Sequence, residues 1–229
     1  TSDREAKTSE RFGAITNDLV IPLGVKLPLS QSISIREKYG IPGDRPMLLF
    51  LSRIEPKKGL DLLIPALEAL LEHEFQFVLA GSNPQDPEYE QQIRERVQRS
   101  RLNDRTTITG FITGAEKTAL LEAADLFVLP SYYENFGIAI AEAMMAETPV
   151  IISDQVHICH EIEAAEAGWV TPCEVGALTA TLKTALSDRA EQLRRGKNAK
   201  THAEQHYSWD AIAQQMIQTY AQILSRKGS

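Results

Sequence analysis

An α/β fold, a doubly wound parallel sheet of about six strands, is what the sequence predicts, and periodicity carries the prediction. Three observations point to it. Runs such as MLLFLS, FQFVLAG and PVIISD are short and apolar throughout, as strands buried on both faces must be. Between them lie stretches with helical spacing, for instance Leu60, Leu63, Ile64, Leu67, Leu70 and Leu71. Strands that alternate with helices pair in parallel through right-handed crossovers. The length of 229 residues, with 43% hydrophobic and 24% charged residues, suits one large domain or at most two small ones and excludes a disordered chain.

The elements follow in order. Residues 1–14 are polar and read as a short helix or a loose end. AITNDLVIPLGVKLPLS is a short apolar strand leading into a connector punctuated by Pro22, Gly24 and Pro28. A chain that opens on a connector looks like part of something longer. MLLFLS is the first core strand, followed by a helix over 59–73 and the strand FQFVLAG. A turn, SNPQDP, leads into a polar helix over 87–100 and the short strand TTITG. A helix over 115–124, the strand DLFVLPS, a helix over 137–146 and the strand PVIISD come next. A short helix near Glu161 precedes the strand GWVTP, and two helices span 176–187 and 189–206. The last helix places Trp209, Ile212, Met216, Ile217, Tyr220 and Ile223 on one face, with Ser208 as its N-cap.

In sheets of this type ligands bind beyond the carboxyl ends of the strands, so the residues just past each strand are the candidates. Arg53, Lys57, Lys58 and Gly59 follow the first core strand, and Gly81 the second. Gly110 and Phe111 follow the third. Ser131, Tyr133, Glu134, Asn135, Phe136 and Gly137 follow DLFVLP, and Asp154 follows PVIIS. Gly137 opens a helix whose first amides lack internal partners and sit at the positive end of its dipole. A phosphate fits there without any side chain. Arg53 adds forked hydrogen bonds and Lys58 a compact charge, which together suit a diphosphate. Glu134 and Glu142 would be repelled by that anion and make sense as acceptors for hydroxyl groups, one for a ribose and the other for a sugar. Glu142 stands among Ala139, Ile140, Ala143 and Met144, where a carboxylate needs a partner.

These residues carry a resemblance. LFLSRIEPKKGLDLLIPAL, DLFVLPSYYENFGIAIAEAM and TPVIISD resemble the donor-binding, C-terminal Rossmann-like half of a GT-B glycosyltransferase, and family 4 most closely. The likeness runs from Ile21 to Ile223 and rests on features in order: an Arg and a Lys after the first strand, then E-x7-E astride a Gly-opened helix. It implies a retaining transferase that moves a hexose-type sugar from a nucleoside-diphosphate sugar, UDP- or GDP-linked, to an acceptor hydroxyl in polysaccharide or glycolipid assembly. By similarity, Arg53 and Lys58 stabilise the diphosphate leaving group. Glu134, with the backbone of Asn135, Phe136 and Gly137, faces the transferred sugar and distal phosphate, and Ile138 completes the phosphate contacts. Glu142 holds the ribose, and Gly110, Phe111 and Ile112 flank the base. No cofactor and no metal is expected, and the sequence has no DxD-like carboxylate pair at a strand end. The alternatives are a non-catalytic nucleotide-sugar binding module and a sugar-nucleotide epimerase of the same fold.

The chain departs from the family pattern in four places. Ser52 stands where a Gly often precedes the Arg, and Leu23 replaces an Asn of the connector. Asn83 stands where a second Gly often follows Gly81, and Asn tolerates a left-handed backbone. QVHICHE replaces a Gly pair after Asp154. The resemblance implies a division into a connector over 1–28, a nucleotide-sugar domain over 29–206 and a helix over 207–229 directed at an N-terminal acceptor domain. Without that half, the chain is expected to bind donor but not to transfer sugar.

A net charge of -7, from 24 Lys+Arg against 31 Asp+Glu, excludes a basic nucleic-acid footprint, so any anion must be met by particular cations. No apolar run is long enough to cross a bilayer. The two cysteines, Cys159 and Cys173, fit a reducing cytoplasm, and a peripheral membrane contact would belong to the full-length protein. His157, Cys159, His160 and Glu161 match no zinc spacing, and Glu161 reads as a local structural residue. Cys173 reads as a small apolar filler. RERVQRSRLNDR reads as a solvated face, and Ser131 lacks the G-x-S-x-G setting of a nucleophile.

Overall fold

The computed structural model describes residues 20–29 and 34–227. The polar stretch over 1–14 and most of the strand expected before Pro22 lie outside the described residues. Residues 20–29 form no strand. They run as a connector tied down at Val25, whose N–H donates to the Tyr207 carbonyl at 2.7 Å and which bridges to Ser208.

Six parallel strands make one sheet: β1 (Met47–Leu51), β2 (Gln76–Ala80), β3 (Thr106–Gly110), β4 (Leu126–Leu129), β5 (Val150–Ser153) and β6 (Gly168–Thr171). Their spatial order is β3-β2-β1-β4-β5-β6, with Leu48 beside both Phe77 and Leu126. The apolar runs are fully buried in β2, β4 and β5, because helices cover both faces of the sheet. The order reverses between β1 and β4. Crossovers leave in opposite directions from that point, and a crevice opens above the carboxyl ends of those two strands.

The helices bear out the periodicity, with small shifts. They are α1 (Ile35–Tyr39), α2 (Leu60–Glu68), α3 (Pro87–Arg99), α4 (Gly114–Ala123), α5 (Ile138–Met145), α6 (Cys159–Ala164), α7 (Val175–Ser187), α8 (Arg189–His206) and α9 (Trp209–Lys227). The regular helix α2 stops at Glu68, and the apolar pattern to Leu71 continues in turns. α1 has no counterpart among the expected elements. Its five residues are too few to show periodicity, and it is held by caps: Ser34 Oγ accepts from the Glu37 N–H, and Gly40 closes the end at φ 63°. α9 starts where expected, its Ala211 N–H donating to Ser208 Oγ at 3.2 Å. Of its apolar face only Ile212 is buried, whereas Trp209, Met216, Ile217, Tyr220 and Ile223 are exposed.

One glycine decides how the crevice closes. Gly59 has φ 74°, and a Cβ there would overlap the Pro130 carbonyl oxygen. The turn after β1 therefore lies directly against the loop after β4. Gly40 has a similar φ with open space around its missing Cβ. Both Gly-to-Ala changes force a left-handed alanine, at about 1–2 kcal/mol, but only the Gly59 change also collides with backbone. Urea unfolding of Gly59→Ala is expected to show clearly the larger loss, roughly 2 kcal/mol or more beyond Gly40→Ala. Equal losses would mean that this close approach does not exist.

Candidate functional site

The site is assembled from two loops that meet above the strand-order reversal. After β1 the chain passes Arg53 and tightens into a 3-10 turn, Pro56–Lys58. The Lys58 side chain is buried there (9% exposed) and forms an ion pair with Glu134. Arg53 is half exposed, and its guanidinium lies 2.5 Å from Glu55 and 3.5 Å from Gln85. The β4 loop is fastened to this turn by the Tyr132 N–H, which donates to the Lys57 carbonyl at 2.8 Å, and by the Tyr132 hydroxyl, which donates to Asp61 at 2.8 Å. Burial and the Asp61 carboxylate push the Tyr132 phenol up to about 12.

On its other side the β4 loop is held by the segment after β5. The His157 N–H donates to the Glu134 carbonyl at 2.9 Å, and Glu134 bridges in parallel to Val156. QVHICHE thus takes over the support of Glu134, although it departs from the pattern the resemblance implied. Phe136 contributes its backbone only, since its ring is buried edge-on against Tyr207 with centroids 5.0 Å apart. Gly137 adopts φ 79° as the N-cap of α5, and no side chain caps that helix.

A cleft of about 500 Å³ gathers the expected phosphate residues: Arg53, Lys58, Glu134, Asn135, Gly137 and Ile138 line it together. Ser52 and Arg53 also line a second hollow of about 230 Å³, shared with Phe111, Ile112, Lys117 and Glu142. The two adjoin at Ser52 and Arg53, just past the end of β1, and together make a groove. Gly110, just before Phe111, has φ 74° and lines neither hollow, and Phe111 is exposed. Of the candidates from the strand-end argument, Arg53, Lys58, Gly81, Phe111, Glu134, Asn135, Phe136 and Gly137 line this groove, whereas Lys57, Gly59, Gly110, Ser131, Tyr133 and Asp154 do not.

Three details differ from the sequence reading. Glu142 is buried, as its apolar surroundings require, but its partner is a protein group, Lys117 Nζ at 2.5 Å. Lys117 sits on α4, and no local spacing connects it to Glu142. Lys58, expected to be open for a phosphate, already carries the Glu134 carboxylate as counter-ion. Asn83 is not left-handed. It acts through its side chain, donating to the Ile54 carbonyl at 3.1 Å, while Gly81 has the positive φ, and a Cβ there would also strike the Ser52 carbonyl.

With this geometry in place, the family model "Glycosyl transferases group 1" matches residues 31–202. The chain belongs to that family. It is 32% identical over 203 residues to an uncharacterized glycosyltransferase of Methanocaldococcus jannaschii, an alignment covering 86% of this chain and 50% of the relative. The chain spans about half the length of the curated relatives it matches. Among solved structures, sucrose-phosphate synthase from Thermosynechococcus elongatus superposes with a TM-score of 0.85 at 32% identity, covering 99% of this chain and 58% of that one. Anabaena HepE, solved in complex with UDP and glucose, superposes at 0.73 with 26% identity, covering 82% of this chain and 50% of that one. The Rossmann-like, GT-B-type sheet is the shared framework.

In this group 1 glycosyltransferase chain the groove rests on a second layer of contacts. Tyr207, fully buried behind Phe136, donates its hydroxyl to Glu161 Oε2 at 2.5 Å, and His202 lies 3.9 Å from the same oxygen. Glu161 is thus the local structural residue the sequence suggested, joining α6 to α8. His157 packs edge-on against Tyr133, and His160 faces Glu163 at 3.6 Å. Among the described residues no group of three or more His, Cys, Asp or Glu is placed to hold a metal. Cys173 Sγ lies 3.6 Å from the Ser131 carbonyl, and burial pushes its thiol up. Likewise among the described residues, no helix is long and apolar enough to cross a membrane.

Burial alone would raise the Glu161 carboxyl, but hydrogen bonds from His202 and Tyr207 hold it below its ordinary value. A depressed carboxylate stabilises the fold above its unfolded pKa of about 4.3, and that contribution fades as pH falls through the lower folded value. The contribution of this carboxylate to the stability difference between the unaltered chain and Glu161→Gln is therefore expected to shrink as pH falls below about 4.3, measured by urea unfolding from about pH 5 downward. A difference that stays flat to pH 3 would contradict the role given to this carboxylate.

Proposed function

We propose that this chain is the donor-binding half of a retaining glycosyltransferase that moves a hexose-type sugar from a nucleoside-diphosphate sugar to an acceptor hydroxyl. One observation carries the proposal: a guanidinium, a nearly buried ammonium and the uncapped start of a Gly-opened helix converge on one cleft at the strand-order reversal. Cleaving the bond between the anomeric carbon and the diphosphate leaves an electron pair, and negative charge, on the departing oxygen. Preorganised cations and amides lower that barrier where the charge develops. Arg53 and Lys58 supply the cations in this reading, and the amides around Gly137 and Ile138 supply the dipole end. With that charge already met, the step assigns no work to a metal.

The ion pair gives Glu134 a defined part. A phosphate arriving at Lys58 replaces its carboxylate counter-ion and turns Glu134 toward the hydroxyls of the sugar. Glu142 takes the ribose in the second hollow, with the base along Gly110, Phe111 and Ile112. UDP and glucose in the HepE complex support a nucleotide-sugar donor for a relative of this fold. In the same proposal 29–206 form the donor domain, and the exposed apolar face of α9 within 207–229 turns toward an acceptor domain. Acceptor hydroxyls of a glycan or glycolipid would be presented there.

Calorimetric titrations with UDP, GDP, ADP and the matching sugar nucleotides test the assignment. Arg53→Met and Lys58→Met are each expected to weaken the preferred nucleoside diphosphate about 10- to 100-fold, the size expected for losing one charge-assisted contact. Glu142→Ala is expected to weaken every nucleotide, whereas Glu134→Ala does not weaken the diphosphate and removes the extra affinity contributed by the sugar. Equal losses in the two glutamate variants would contradict this division of labour.

A further inference from the structure

We propose that Lys117 is a positioning residue of the groove: it holds the Glu142 carboxylate in place for a ribose diol and so sets the preference for ribonucleotides over 2′-deoxyribonucleotides. The inference rests on the donor-site reading above and adds a residue that the strand-end argument does not reach.

Glu142 lies on α5 between Ala141 and Ala143, with Ile140 and Met144 beside them, all buried. A carboxylate buried in such surroundings holds one orientation only with a cation or several donors close by. Lys117 provides that cation from a different element, its Nζ 2.5 Å from Glu142 Oε1. Its side chain is itself largely covered, at 22% exposure. Both residues border the hollow with Phe111 and Ile112.

The hydrogen-bond inventory leaves room for a ligand. An ionised carboxylate accepts about four hydrogen bonds, and an ammonium donates three. One bond between them leaves acceptor sites on Glu142 for two vicinal hydroxyls. Neutralising the carboxylate also removes a repulsion that a diphosphate at Arg53 would otherwise feel, since Arg53 borders the same hollow. A freely rotating carboxylate would bind a diol with less selectivity, because its orientation would have to be fixed on binding.

The experiment compares UDP, or whichever nucleoside diphosphate binds most tightly, with its 2′-deoxy analogue on the intact chain. The unaltered protein is expected to prefer the ribonucleotide about tenfold, as a site built around a hydroxyl does. Lys117→Met is expected to weaken the ribonucleotide about tenfold and to bring the two ligands within about twofold of each other. Lys117→Arg keeps the charge and is expected to retain most of the preference. Thermal melts of each variant establish that it is folded before titration. A Lys117→Met protein that keeps the original ratio, or that weakens both ligands equally, overturns the positioning role. Binding of neither ligand by the unaltered chain, or binding without any ribose preference, overturns the donor-site reading itself and the role of Lys117 with it.

Discussion

The turn after β1 is pressed against the loop after β4, and the functional surface of this chain depends on that contact. The sheet order puts the two strand ends side by side. The absence of a side chain at Gly59 lets the backbones touch, and the Tyr132 amide and hydroxyl fasten one loop to the other. Lys58 and Glu134 then meet out of bulk water. An ammonium at this depth is stable because a carboxylate shares its environment, and removing either partner would leave a charge with poor solvation. The ion pair is thus both a consequence of the loop contact and a reason for it to persist.

A pattern runs along the groove. Arg53 is matched by Glu55, Lys58 by Glu134 and Lys117 by Glu142. Each cation that borders the groove is held in place by an acid, in a chain whose net charge of -7 offers an anion no general attraction. Such a surface is preorganised without being strongly electropositive. In the proposed reading an incoming diphosphate exchanges partners with residues already in position, and an acid displaced in the exchange becomes available for hydroxyl groups. The same logic lets two glutamates stand beside the proposed phosphate site.

Much of this was legible in the sequence. Strand runs apolar on both faces announced a parallel sheet, and the rule that ligands sit beyond strand ends singled out Arg53, Lys58 and the Gly137 helix start. What was not legible has physical reasons. α1 depends on two caps rather than on a repeating pattern. Lys117 reaches Glu142 across two helices, a distance in space that no local spacing records. Asn83 could be read as a backbone residue because asparagine tolerates left-handed turns, yet its side-chain bond to the Ile54 carbonyl does the work. The amphipathic pattern of the last helix is real, but a pattern shows only that a face is apolar, and here most of that face is exposed.

The most direct test is a crystal structure of this chain grown with a nucleoside-diphosphate sugar. The account predicts density for the two phosphates between Arg53, Lys58 and the amides of Gly137 and Ile138, with Glu134 turned from Lys58 toward the sugar. A well-ordered donor bound elsewhere on the molecule, with the Lys58–Glu134 pair intact and the groove empty of it, would contradict the account.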